Sequence, residues 1–160
     1  MVNFLNKKDG NKNTIHAMLV YVYAVFFVSM ILGVLLDEIL RLELLANFEH
    51  SYIGTGIIFF GTLLIYLAQK ASFNASKIKP ENSSVEGFMY GPYKYFRHPT
   101  YLGVFFMVLG FGIVIRSTFS VLLILITYLI VKLTFVKKEE ETLEEKYGQI
   151  YLDYKKKVRM

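Results

Sequence analysis

Four long apolar runs, separated by short polar passages, set the pattern of this chain. The first, Ile15 to Leu36, has His16 and Ser29 as its notable polar side chains. At about 1.5 Å per residue it spans a hydrocarbon core of ~30 Å. It is too long for a signal-peptide core, and no small-residue cleavage site follows, so it reads as a retained helix. The second run goes from Ser51 to about Gln69, with Gly54 and Gly61 on one face, which predicts close contact with another helix. The third begins at Pro99 and ends near Ile115, with Gly103, Met107 and Gly110 forming a thin face that would leave room for an acyl or isoprenoid chain. Arg116-Ser117-Thr118 is the only break before the fourth, Phe119 to about Val136, so runs three and four predict a tight antiparallel hairpin. Beyond it, Leu143, Tyr147, Ile150, Tyr151, Tyr154 and Val158 recur every three or four residues. That period predicts one amphipathic helix from Lys137 to Met160, lying on the membrane with Lys155, Lys156 and Lys157 toward anionic lipid. The expected fold is all-α: a multi-pass membrane protein with four transmembrane helices plus a C-terminal amphipathic helix, in one domain over residues 1–160.

The polar passages orient this arrangement. Asp37 to His50 is acidic, and its Leu40, Leu44 and Leu45 suit a short surface helix. Lys70 to His98 is a long, basic loop with a turn region at Pro80 to Ser84. Lys and Arg crowd the N-terminus, this loop and the tail, which places both termini and the loop on the cytoplasmic side of the plasma membrane. Of the 160 residues, 54% are hydrophobic, and the charges gather between the apolar runs, against a water-soluble core. The net charge of +5 points to lipid headgroups and away from nucleic acid, because the cations flank membrane segments. The absence of cysteine excludes disulfides, thiol catalysis and cysteine zinc sites, and no metal-ligand pattern stands out.

The passage from Gly87 to Gly103 carries the chemistry. Gly91-Pro92 is a turn signal. Pro99 forces His98 into an extended conformation and suits the first position of a helix. Thr100, Tyr101 and Leu102 then open that helix with N–H groups available to an anion. Arg97, His98, Tyr93 and Tyr101 cluster at this helix mouth. By physics alone, a ligand site and an interfacial belt of aromatics and cations stand level.

Two blocks of residues decide between them. Gly91, Tyr93, Arg97, His98, Pro99, Tyr101 and Gly103 form G-x-Y-x-x-x-R-H-P-x-Y-x-G; Glu139, Glu140, Leu143, Tyr147, Gly148, Tyr151 and Tyr154 form E-E-x-x-L-x-x-x-Y-G-x-x-Y-x-x-Y. In this order, across residues 88–158, they resemble the isoprenylcysteine carboxyl methyltransferase and phospholipid methyltransferase family. The resemblance implies a membrane enzyme that transfers a methyl group from S-adenosylmethionine to a lipid-like or isoprenoid acceptor at the cytoplasmic face. It implies donor contacts from Phe88, Tyr93, His98, Pro99, Thr100, Tyr101 and Glu139. Within that reading, His98 and the helix start suit the donor carboxylate. Tyr93 and Tyr101 suit adenine or sulfonium, and Glu139 the ribose or ammonium. Arg97 and Glu140 are the expected catalytic pair: Arg97 beside the acceptor head, Glu140 as a base where the acceptor is an amine. Phe135 stands where the resembling prenylcysteine enzymes carry an arginine. A carboxylate would lack a partner there, which favours an amine or hydroxyl acceptor. Membrane lipids and a lipophilic small molecule are the expected partners. Two alternatives come from other classes. One is an NADPH-dependent reductase of sterol-reductase-like architecture, against which stands Val104 after Gly103. The other is a non-catalytic membrane scaffold, which leaves both motifs unexplained.

Overall fold

The computed structural model describes residues 2–40, 45, 51–76 and 89–158, with side chains described from residue 17 onward and not at residues 51, 75 and 76. Every regular element among them is helical. α1 covers Val2–Leu40, α2 Ser51–Ser76, α3 Pro99–Val114 and α4 Thr118–Val131. A π-helical segment, Lys132–Val136, joins α4 to α5, Lys137–Tyr147, and α6 comes next over Gln149–Lys157. Leu40 belongs to α1, whereas the expected surface helix around Leu44, the Pro80–Ser84 turn and Phe88 lie outside the described residues.

Among the described residues three helices, not four, are long and apolar enough to cross a membrane: Ala17–Leu40, Tyr52–Asn74 and Thr118–Tyr147. The expected third crossing, α3, has 16 residues. That is about 24 Å, short of a ~30 Å core. It is short because Pro99 starts it within the protein and the turn at Ile115 to Ser117 stops it. It is also the central helix. α2 lies along one side, α4 and α1 along others, and Tyr101, Val104, Phe105 and Val108 are buried in the main core with Val22, Phe26, Ile124 and Val131.

The glycines explain how α2 approaches α3. A Cβ on Gly61 would sit 2.6 Å from the Gly103 carbonyl oxygen, and one on Gly110 would sit 2.6 Å from that of Gly54. The two helices therefore touch backbone to backbone at Gly61/Gly103 and Gly54/Gly110, as small-residue faces allow. α2 fills the glycine face of α3, so the room expected there for an acyl or isoprenoid chain is taken. On the opposite side, Gly33 of α1 presses against the Ser120 backbone of α4.

The tail departs from a single surface helix. α4, the π segment and α5 run as one continuous rod over Thr118–Tyr147, ~45 Å long at 1.5 Å per residue. The break comes at Gly148, whose φ of 56° is a conformation that side chains disfavour. It turns α6 back on the rod. Tyr151, Tyr154 and Val158 are almost fully buried there, against Met89, Leu143 and Tyr147. The apolar stripe of the tail thus faces protein.

Candidate active site

The site forms where the start of α3 meets α5 and α6. A 3-10 turn over Gly91–Lys94, with Gly91 at φ 53°, brings the chain back from α2, and His98 stands beyond it as the N-cap of α3. The Tyr93 hydroxyl meets Ser72 Oγ of α2 at 2.9 Å, while its carbonyl accepts from the Tyr154 hydroxyl at 2.8 Å. The turn is thereby pinned between α2 and α6, and Arg97 and His98 are aimed at the rod.

On the rod, the π segment precedes the two glutamates directly. Its wider turn shifts the register of the helix beyond it, a device frequent at functional sites. Glu139 and Glu140 both reach His98: Nε2 lies 3.2 Å from Glu140 Oε1, and Nδ1 lies 3.5 Å from Glu139 Oε2. Arg97 Nη1 lies 2.7 Å from Glu140 Oε1. Lys155 Nζ lies 2.9 Å from Glu140 Oε2 and donates to Glu144 Oε1 at 2.6 Å. Glu140 is thus the hub of three cationic groups, two from the adjacent Arg97 and His98 and one from the tail. Burial alone would lower the His98 pKa, but hydrogen bonding and charge from Glu139 and Glu140 prevail and raise it above the ordinary 6.5. Lys155 is likewise raised, chiefly by Glu144 and then Glu140.

Two buried atoms beside this hub are weakly satisfied. Glu139 Oε2 has only the 3.5 Å contact with His98 Nδ1, and the Tyr101 hydroxyl faces Glu139. The α3 start is also open, because the His98 side chain makes no cap hydrogen bond to it. Next to these groups is a cavity of about 80 Å³, lined by Phe96, Arg97, His98, Tyr101, Leu102 and Glu140 with Tyr128, Val131, Lys132 and Val136 opposite. That is room for about half a dozen waters, or a headgroup-sized group.

The structure therefore brings together Arg97, His98, Tyr101, Glu139, Glu140 and the Pro99–Thr100 helix start. Tyr93 stands to one side, holding the turn. Lys155, Lys132 and Tyr128 also reach the site, although no motif in the sequence marks them for it. Lys155 reads as one of three lipid-facing lysines until the bend at Gly148 directs it inward.

The phospholipid methyltransferase family matches this chain over residues 50–150. The chain belongs to that family. The matched span holds α2, the turn, α3, the whole rod and every member of the hub but Lys155, so the family pattern overlaps the site just described. The chain is also 30% identical over 115 residues to the protein-S-isoprenylcysteine O-methyltransferase of Xenopus laevis. The match takes in 68% of this chain and 38% of that relative, so the chain spans well under half its length. No solved structure matches.

Proposed function

We propose that this protein is an S-adenosylmethionine-dependent methyltransferase acting on a lipid-like acceptor at the cytoplasmic membrane face. The observation that carries the reading is the buried cluster of Glu139, His98 and the Tyr101 hydroxyl beside a helix start that no side chain caps. These suit the donor's charges. Glu139 would accept from its ammonium or ribose hydroxyls, and His98 and the α3 start would hold its carboxylate. Tyr101 presents an aromatic face to a sulfonium. The bound donor supplies an electrophilic methyl group.

What this chain contributes is position and dryness. The Arg97–Glu140–Lys155 hub fixes α3, α5 and α6 against one another, so the acceptor and donor sides keep one geometry. The apolar wall of Phe96, Leu102, Tyr128, Val131 and Val136 keeps water from the acceptor. The acceptor atom forms its bond to carbon as the carbon–sulfur bond breaks, the pair of electrons leaving with sulfur. A carboxylate or phosphate acceptor needs no base; Glu140 would take a proton from an amine only by giving up pairs with Arg97, His98 or Lys155. The distribution of Lys and Arg supports placing the motif end and the Lys-rich tail on the cytoplasmic side of the plasma membrane.

Calorimetry of detergent-solubilised protein with S-adenosylmethionine and with NADPH tests the reading. S-adenosylmethionine should bind, and His98→Ala and Glu139→Gln should each weaken it by about ten- to a hundredfold, as expected for a lost charge-assisted hydrogen bond. Binding of NADPH alone would replace this reading with a reductase, and binding of neither with a scaffold.

A further inference from the structure

Lys132 is the one cation on the cavity wall whose charge the described residues leave unanswered. Arg97 and His98 are committed to the glutamates. Among the described residues, no acidic group pairs with Lys132. Its neighbours make that notable. Leu129, Ile130 and Leu133 are 58%, 51% and 72% exposed on a helix long and apolar enough to span a membrane. They form the surface a bilayer would cover. A cation at such a position is costly unless it reaches water or an anion.

Lys132 opens the π segment, and its spacing of three or four residues from Tyr128 and Val136 puts it on the cavity wall with them and Val131. Phe135 instead packs against the main core. Lys132, itself exposed, therefore lies where the apolar, lipid-side surface meets the cavity. Across the cavity is the apolar wall of Phe96 and Leu102, and at its inner end the hub.

We infer that the cavity between α3 and the α4–π rod seats the anionic headgroup of an amphiphile, held by Lys132, with its chain leaving past Leu129 and Leu133 into the lipid. The ligand class is a carboxylate or phosphate on an apolar chain. On the methyltransferase reading, on which this step rests, that amphiphile is the acceptor. The arginine absent at Phe135 then does not exclude an anionic acceptor, because Lys132 supplies the charge from one turn earlier.

The test uses the full chain in uncharged maltoside micelles, with dodecyl phosphate, dodecanoate and dodecanol as probes and equilibrium dialysis as readout. At least one anion should bind tenfold or more tighter than dodecanol. That preference should fall to within twofold in Lys132→Gln, return in Lys132→Arg, and persist in Lys137→Gln, which alters a lysine outside the cavity. Phosphate and carboxylate arms identify which headgroup is taken. Equal binding of all three probes would overturn the inference, as would an equal loss in Lys137→Gln. Calorimetry with S-adenosylmethionine on the same variants separates the two readings. Donor binding without anion preference overturns this inference alone. Anion preference without donor binding overturns the methyltransferase reading and leaves the anion site standing. A melting curve for Lys132→Gln that matches the parent excludes misfolding as the cause.

Discussion

The two ends of the helix bundle solve the same problem in opposite ways. At each, polar groups from distant parts of the chain are gathered against apolar helices. At the hairpin end, Asp37 of α1 reaches the start of α4, where Oδ1 accepts from the Phe119 N–H at 3.2 Å and Oδ2 from the Ser117 hydroxyl. Ser117 caps the helix by accepting from the Ser120 N–H at 3.1 Å, and Ser120 Oγ donates to the Met30 carbonyl at 2.9 Å. A carboxylate at a helix start satisfies both the dipole and the free N–H groups. At the motif end, the start of α3 has no such side-chain cap, and Glu139 and the Tyr101 hydroxyl are buried beside it. One helix start is closed by the protein itself, and the other is open. A fold that can close one end with a single aspartate has no structural need to leave the other open, so the open end is the place to look for a ligand.

Breaking each end in turn sharpens the contrast. The largest effect should come from Glu140→Gln, which removes the charge opposite Arg97, His98 and Lys155 at once. Losing one partner of a buried ion network costs roughly 3–5 kcal/mol, and the lower end applies here because Lys155 is 37% exposed. Thermal melting should show that loss, and methyl transfer should fall with it. A melting temperature equal to the parent's would mean that the hub holds nothing together.

Asp37→Ala should cost less, about 1.5–3 kcal/mol for hydrogen bonds to a charged group. Its signature is stability lost without binding lost. The melting temperature drops, while S-adenosylmethionine affinity stays within twofold of the parent. A tenfold loss of affinity would show that the two ends communicate and that the contrast drawn above is false.

The smallest effect is a pH dependence confined to the motif end. The folded-state pKa of His98 is raised above 6.5, so its protonated form favours the fold. That contribution is complete below pH 6.5 and fades as pH rises through the raised value. The groups facing His98 are Glu139 and Glu140, with the Tyr101 ring 5.8 Å away. Melting temperature followed upward from pH 6 should decline more steeply for the parent than for His98→Gln. Parallel curves would remove His98 from the account.

Several features of the fold are legible in the residues alone. The apolar runs locate the membrane helices, because hydrophobic length is a property of the local chain. Pro99 marks the start of α3 and Gly54, Gly61, Gly103 and Gly110 mark a close helix contact, since proline and glycine act on their own backbone. The last two glycines mislead in one respect. As an isolated face they look like room for a chain, and only the position of α2 shows the room to be taken. The count of four spans fails for a similar reason. Composition makes α3 look like its neighbours, but a turn at each end limits it to 16 residues, and burial by other helices makes up for what the bilayer would supply.

What the sequence determined by itself is therefore the local physics: which segments are apolar, where the backbone turns, and where the two family motifs lie. The tertiary structure decided how the charges are spent. Lys132 lies inside an apolar run and Lys155 opens a run of three lysines, and neither setting tells what the charge meets. The bend at Gly148 carries Lys155 back to Glu140 and Glu144, where its charge is answered. Lys132, at the start of the π segment, lines a cavity where, among the described residues, its charge is not. Ion pairing falls off within a few ångströms, so it depends on distances that the order of residues does not contain.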